Sequence, residues 1–224
     1  MGNQADLAFP SAVIFDMDGL MVDSEPVWGR AWDIALGRHG LEQMPGFREA
    51  LIGLARPRAL EATRGFYGDS DEALAAFEEH YEVVEQLFVD EGAPKMPGLD
   101  ELLDVLDDRG VPVAVASSTA RPSVDAVLAH AGVAGCFSAI CTGDMGYPSK
   151  PAPDIFLAAA DALGVAPGDA WVLEDSPAGI QAAIAGGFVP VMVPNLVQPS
   201  DELREQAVVV DSLFEVRDLL ERLG

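Results

Sequence analysis

The segment AVIFDMDG, residues 12–19, joins a short apolar run to two acidic residues, Asp16 and Asp18. Consecutive apolar residues of this kind are typical of a strand whose two faces are both covered by helices. In open parallel sheets, ligands bind at the carboxyl ends of the strands. The segment therefore predicts a buried strand that ends in two functional carboxylates. An ordinary turn is the competing interpretation, because Asp and Gly both suit turn geometry.

The second half of the chain, from Leu99 onward, alternates helix-like and strand-like segments. This alternation is typical of βαβ units and a parallel sheet. The runs VPVAVA (residues 111–116) and AWVLE (residues 170–174) are almost uninterrupted apolar sequences, as expected for strands covered on both faces. The sequence therefore predicts an α/β fold with a doubly wound, Rossmann-like parallel sheet, to which residues 12–15 contribute one more strand.

Residues 25–91 show a different pattern, in which apolar residues recur every three or four positions without strand-like alternation. Such spacing predicts amphipathic helices. Segments that contain Pro and Gly, GLMVDSEP at residues 19–26 and EGAPKMPG at residues 91–98, flank this region and are typical of linkers. We therefore expect a core domain made of residues 1–23 and 96–224, with an inserted helical cap domain at residues 24–95.

Polar residues follow the predicted strands at positions that converge on one edge of the sheet. They are Asp16, Asp18, Ser117, Lys150, Glu174 and Asp175. Four converging carboxylates repel one another and titrate abnormally unless a cation lies between them. Carboxylate oxygens together with water and a substrate phosphate form the all-oxygen environment that Mg²⁺ prefers. The pattern therefore predicts a magnesium site next to a phosphorylated ligand.

Each of these residues also has a simpler interpretation when it is considered alone. Ser117 and Ser118 could cap the following helix, and Asp175 or Ser176 could cap the segment PAGIQAAIAGG. Lys150 could be a solvated surface lysine. The functional interpretation is favoured because the features share strand-end positions, and because Lys95 is the only other lysine in the chain.

The composition excludes some classes of partner. A formal net charge of −24 opposes binding to nucleic acid or to an anionic membrane surface. There is no basic N-terminal leader and no apolar run of the roughly 18 residues that a membrane span needs, so we expect a cytoplasmic protein. Cys136 and Cys141 form no C-x-x-C motif and have no histidine nearby, so we expect small apolar residues here and no zinc site.

Four motifs together resemble one known family. FDMDG (15–19), VASS (115–118), KPAPDIF (150–156) and LEDSPAGI (173–180) are similar to the four motifs of the haloacid dehalogenase superfamily. The resemblance covers nearly the whole chain and is closest to the β-phosphoglucomutase-like and sugar-phosphate phosphatase branch, which carries a helical cap. The second acid of FDMDG distinguishes phosphoryl-transfer members from dehalogenases that attack carbon.

The resemblance implies a role for each strand-end residue. Asp16 would be the nucleophile that forms an aspartyl-phosphate, and Asp18 the general acid and base. Ser117 and Lys150 would act as catalytic residues by binding the transferring phosphoryl group, and Ser118 would bind substrate beside them. The implied magnesium ligands are Asp16, Asp18 through its backbone carbonyl, Glu174 and Asp175.

The cap would set the specificity. Arg56 aligns with a cap arginine that binds a distal phosphate in β-phosphoglucomutase-like proteins, although a surface arginine is the competing interpretation and Arg58 is a second candidate. Trp28 stands where the mutases carry a histidine, and Ala120 replaces a lysine. Both differences disfavour mutase activity, and Trp28 could also belong to the core of the cap.

The predicted function is therefore a Mg²⁺-dependent phosphoric monoester hydrolase that acts on a small phosphorylated metabolite of the sugar-phosphate class through an aspartyl-phosphate. β-Phosphoglucomutase is the enzymatic alternative. A phospho-receiver-like signalling domain and a non-catalytic binding module are remote alternatives, because receiver domains are about half as long and place their acidic pair and phosphorylated aspartate on different strands. We expect a monomer or weak dimer that binds neither nucleic acid nor membrane.

Overall fold

The computed structural model describes residues 7–52, 54 and 56–224. Its sheet, within these residues, has six parallel strands in the order β3-β2-β1-β4-β5-β6. The strands are β1 (Ala12–Phe15), β2 (Val113–Ser117), β3 (Ala139–Thr142), β4 (Ala170–Glu174), β5 (Val189–Met192) and β6 (Val208–Val209). The predicted doubly wound α/β fold is confirmed, and the segment at residues 12–15 is a central strand.

The helices of the described residues follow two groups in the chain. The first four belong to the helical insertion that follows β1: α1 (Glu25–Arg38), α2 (Phe47–Leu51), α3 (Arg56–Tyr67) and α4 (Asp71–Glu91). The others alternate with the strands: α5 (Leu99–Asp108), α6 (Arg121–His130), α7 (Asp154–Leu163), α8 (Pro177–Ala185), α9 (Asp201–Gln206) and α10 (Leu213–Leu223).

Alternation along β1 shows how the two faces of the sheet are covered. Val13 and Phe15 belong to an apolar cluster with residues of α5, α6 and α10, whereas Ala12 and Ile14 belong to another with α7 and α8. Because successive side chains of a strand point to opposite faces, helices cover the sheet on both sides. Every residue of β1 is therefore buried.

The inserted helices have an apolar cluster of their own, centred on Trp32, Phe47 and Phe77. The Trp32 and Phe47 rings meet edge to face at a centroid distance of 4.9 Å. At the base of the insertion, the Met96 amide donates to the Met21 carbonyl at 2.9 Å, which places the two connecting segments side by side. The predicted helical region is confirmed, while the domain boundaries at 24 and 95 stay a prediction.

Two further expectations concern membrane-spanning helices and the two cysteines. Among the described residues, no helix has both the length and the apolar character needed to cross a membrane. Cys141 is buried and Cys136 is exposed, and both are free thiols. Cys136 differs from the expected apolar position because it lies in the turn between α6 and β3, outside both elements.

Candidate active site

Lys150 connects two strands at the carboxyl edge of the sheet. Asp16 follows β1, and its amide donates to the Leu173 carbonyl of β4 at 3.0 Å. The Lys150 ammonium donates to Asp16 Oδ1 at 2.5 Å and to Glu174 Oε1 at 2.7 Å. The Lys150 side chain is 8% exposed and that of Glu174 is 1% exposed. The only lysine at this edge is therefore a buried counter-charge for two carboxylates, and the interpretation as a solvated surface lysine is wrong.

Three carboxylates gather close enough to share a cation. Oxygens of Asp16, Glu174 and Asp175 all lie within 4.8 Å of one another. Glu174 has other partners as well, because its Oε2 accepts from the amide and the hydroxyl of Ser176, each at 2.8 Å. Asp175 lies against Gly19, where a β-carbon would overlap its carboxylate. Gly19, with a φ of 83°, thus lets the segment after β1 approach Asp175 closely.

The electrostatics of the cluster favour a bound cation. Burial raises the pKa of Asp16 to about 8, and the neighbouring Glu174 and Asp18 carboxylates add to the rise that Lys150 opposes. Burial and the nearby Glu174 and Asp16 raise the pKa of Asp175 to about 9. A divalent cation favours the ionised form of such carboxylates, so this all-oxygen set fits Mg²⁺.

The charge of Lys150 is itself fixed by this cluster. Burial alone would lower the pKa of Lys150, but the attraction of Asp16 and Glu174 outweighs it and raises the pKa. The ammonium also lies 4.7 Å from the centre of the Phe156 ring. Lys150 therefore stays protonated.

Asp18 is held by the loop that follows β2. Its Oδ2 accepts from the Thr119 hydroxyl at 2.7 Å and, more weakly, from the Ser117 hydroxyl at 3.4 Å. Burial raises the pKa of Asp18, and the hydroxyls of Thr119, Ser24 and Ser117 offset part of the rise. Its Oδ1 is buried and has no hydrogen-bond partner in the described part of the chain. The Asp18 carboxyl is thus a buried group held against the loop that follows β2.

Thr119 is a site residue that the sequence analysis missed. The motif VASS directed attention to Ser117 and Ser118, and Thr119 follows it immediately. The available signal was a third hydroxyl residue in the same strand-end loop. Ser117 is completely buried and contacts Asp18, whereas Ser118 is exposed and lines the cavity. Their predicted contacts with a phosphoryl group stay predictions.

A cavity of about 210 Å³ brings most of the predicted residues together. Residues predicted from the sequence that line it are Asp16, Asp18, Ser118, Lys150, Glu174 and Asp175. The helical insertion adds Glu25 and Ile52, and the loop after β5 adds Leu196 and Val197. These four residues were not predicted, because only the folded chain places them opposite the strand ends.

Arg56 lies outside the lining of this cavity. Its guanidinium pairs with Glu78 and lies 4.3 Å from the centre of the Tyr81 ring. Its predicted contact with a distal phosphate stays a prediction. Trp28 packs within the cap, with its ring 5.7 Å from His80 and 6.0 Å from Tyr81 by centroid distance.

Comparison with known proteins adds independent information. Residues 10–187 match the family described as haloacid dehalogenase-like hydrolase. Hexitol phosphatase A of Escherichia coli (strain K12) is 33% identical over 207 residues, which cover 91% of this chain and 91% of that protein.

Solved structures agree with this chain over nearly its whole length. CbbY from Rhodobacter sphaeroides, in complex with phosphate, has a TM-score of 0.77 and 27% identity over 92% of this chain and 96% of that one. A putative β-phosphoglucomutase from Thermotoga maritima has a TM-score of 0.78 and 25% identity over 95% of this chain and 99% of that one. The sheet and its helical insertion thus belong to a known architecture.

Proposed function

Because this chain belongs to the haloacid dehalogenase-like hydrolases, we propose that it is a Mg²⁺-dependent phosphatase of a small phosphorylated metabolite, of the sugar-phosphate class. The single observation that carries the proposal is the buried Lys150, which bridges Asp16 and Glu174 beside Asp175. The similarity to hexitol phosphatase A supports the substrate class.

The metal would be held by Asp16, Asp175 and the backbone carbonyl of Asp18. Glu174 already accepts hydrogen bonds from Lys150 and Ser176, so its main role in this proposal is to hold Lys150. Its predicted direct ligation stays open, because its carboxylate belongs to the same cluster. When bound, Mg²⁺ would neutralise charge between the nucleophile and the phosphate.

In the first step, an Asp16 carboxylate oxygen attacks phosphorus and the bond from phosphorus to the leaving oxygen breaks. Asp18 gives its proton to that oxygen, so the metabolite leaves as an alcohol. In the second step, Asp18 takes a proton from water as the water oxygen attacks phosphorus. The bond from phosphorus to Asp16 breaks and inorganic phosphate leaves. Lys150 stabilises negative charge near Asp16 throughout.

The charge distribution favours hydrolysis over isomerisation. A mutase that uses an aspartyl-phosphate returns the phosphoryl group to a hexose phosphate, which creates a bisphosphate. All 13 lysine and arginine residues lie in the described ranges, and only Lys150 lines the cavity. A second phosphate would therefore face Glu25, serine hydroxyls and apolar residues, without a cation of its own in the cavity lining. β-Phosphoglucomutase remains the alternative, supported by the fold likeness to the Thermotoga maritima protein.

One assay tests the proposal. Phosphate release is measured with a panel of sugar phosphates and other phosphorylated metabolites, with Mg²⁺ and with excess chelator. We expect release that requires Mg²⁺ and falls by at least about a thousandfold in Asp16→Asn. Release that survives either treatment would contradict the mechanism, and a hexose 1-phosphate converted to its 6-phosphate without phosphate release would favour the mutase.

A further inference from the structure

We propose that Thr119 is a positioning residue that selects which oxygen of Asp18 delivers the proton to the leaving group. The inference rests on the proposed function, in which Asp18 acts as general acid. It assigns a role to a hydroxyl that no motif identified. The role is to orient the acid through a hydrogen bond, without contact between Thr119 and the reacting phosphorus.

The hydrogen bonds to Asp18 are asymmetric. Thr119 Oγ1 donates to Oδ2 at 2.7 Å, and Ser117 Oγ points to the same oxygen at 3.4 Å. Oδ1 of Asp18 is buried and makes no hydrogen bond within the described residues, although the buried Ser24 hydroxyl lies close enough to lower the pKa of Asp18. A proton on Oδ1 leaves both of these hydrogen bonds in place, whereas a proton on Oδ2 would require a hydroxyl to turn round and accept it, so the geometry favours Oδ1 as the oxygen that carries the acidic proton.

Thr119 is fixed independently of Asp18. Its amide donates to Ser117 Oγ at 3.0 Å, and its carbonyl accepts from the Gly143 amide at 3.1 Å. A β-carbon at Gly143 would overlap the Ser118 carbonyl, so the glycine allows the loops after β2 and β3 to approach this closely. Hydrogen bonds at both its amide and its carbonyl therefore hold the Thr119 backbone in place, independently of the bond that its hydroxyl makes to Asp18.

This anchoring has a consequence for the chemistry. A carboxyl group can rotate about its bond to the β-carbon and exchange its two oxygens, and the Thr119 hydrogen bond restricts that rotation. The same bond becomes charge-assisted and stronger once Asp18 has lost its proton. Ser117 cannot replace it, because a hydroxyl contact of 3.4 Å exceeds the range of a good O–H···O bond.

The test compares two substrates that differ in their need for an acid. A sugar phosphate has a poor leaving group that must be protonated, whereas p-nitrophenyl phosphate releases a stable phenolate. For Thr119→Val we expect kcat/KM for the sugar phosphate to fall about ten- to a hundredfold, the cost of a misplaced acid. We expect kcat/KM for p-nitrophenyl phosphate to change less than about threefold, because its phenolate leaves without being protonated. kcat/KM covers only the steps up to departure of the leaving group, so the later hydrolysis of the aspartyl-phosphate does not affect it.

Two variants control for folding. Thr119→Ser keeps the hydroxyl and should restore the sugar-phosphate rate. Thr142→Val removes a matched hydrogen bond, from the buried Thr142 hydroxyl to Asp144 at 2.6 Å, at the end of the neighbouring strand. We expect it to leave the ratio of the two kcat/KM values unchanged.

The outcomes separate this inference from the proposed function. Equal losses on both substrates in Thr119→Val, no loss on either, or no recovery in Thr119→Ser would overturn the role of Thr119 while the wild-type enzyme remains an Asp16-dependent phosphatase. A wild-type protein that releases no phosphate from either substrate would overturn the proposed function and this inference with it.

Discussion

The buried ammonium of Lys150 depends on the fold, because the fold brings opposite charges to it. An ammonium that is 8% exposed is stable only beside opposite charge, and Asp16 and Glu174 supply it from two strands. The same ammonium would later face a phosphoryl group. In the proposed function, structural and chemical roles would therefore coincide in this side chain.

The two lysines of the chain allow a matched test of this point. Lys150→Met leaves two buried carboxylates without their counter-charge, so we expect a loss of about 3–5 kcal/mol in the free energy of unfolding. We also expect phosphatase activity to fall by about a hundred- to a thousandfold. Urea denaturation and steady-state kinetics measure the two effects.

Lys95→Met is the control, because Lys95 pairs with Asp100 at the surface. An exposed pair contributes about 0–1 kcal/mol, so this variant should be close to wild type in both measurements. Equal effects of the two substitutions would show that Lys150 has no special role.

The sequence predicted the strand-end residues because apolar runs locate strand ends, and parallel strands bring those ends to one edge. Asp16 and Asp175 could be placed in this way, whereas Lys150, in the loop between β3 and α7, was singled out because the chain has only one other lysine. Thr119 could not, since its contact depends on how its side chain turns toward a residue about a hundred positions earlier. For Arg56, the family resemblance predicted a contact with a distal phosphate, which stays a prediction; the positions of Glu78 and Tyr81 beside it come from helix packing that the sequence does not show.

The start of α8 shows how an element positions the site. Gly179 lies in the first turn of this helix, and a β-carbon there would overlap the Glu174 carboxylate at the end of β4. The helix therefore approaches the strand end only because residue 179 has no side chain. Ser176 caps the same helix, donating to Glu174 and accepting from the Gly179 amide at 3.1 Å.

A pair of helical glycines tests this packing. Gly179→Ala should displace Glu174 and with it Lys150, so we expect a loss of about 1–3 kcal/mol in stability and at least a tenfold loss of activity. Gly65→Ala, in α3 with open space around the new β-carbon, should instead gain about 0.5–1 kcal/mol and leave activity unchanged. If Gly179→Ala behaved like Gly65→Ala in thermal melts and kinetics, the close approach would be irrelevant.

For the whole molecule, the formal charge of −24 and the crowding of carboxylates at the site both favour the protonated form of acidic groups in the folded protein. Asp16 and Asp175 have pKa values of about 8 and about 9 in the folded protein, both above the unfolded value near 4. Between these limits the unfolded chain loses protons that the folded chain keeps, so stability falls as the pH rises.

We therefore expect the melting temperature of the chelator-treated protein to fall between pH 6.5 and pH 8. His80, whose pKa burial lowers to about 4, contributes in the opposite direction mainly below about pH 6.5, and within the window the two carboxyls outweigh it. Added Mg²⁺ should raise the melting temperature more at pH 8 than at pH 6.5, because at the lower pH it must displace protons.

Asp175→Asn is the control for this prediction. Removal of one of the two carboxyls with a raised pKa should flatten the dependence of the melting temperature on pH in chelator, while the formal charge of the chain changes by only one. A wild-type melting temperature that rises over the window, or the same slope in both proteins, would contradict this origin of the pH dependence.

The claim that Asp16 becomes phosphorylated is tested most directly by trapping it during turnover. The enzyme is mixed with Mg²⁺ and its best substrate, quenched within the first turnovers, and treated with borohydride, which reduces an aspartyl-phosphate to homoserine. Mass spectrometry of the peptide that contains residues 12–19 should then find the modification at position 16, and neither in Asp16→Asn nor without substrate. Full turnover with an unmodified Asp16, or a phosphate trapped on another side chain, would contradict the account.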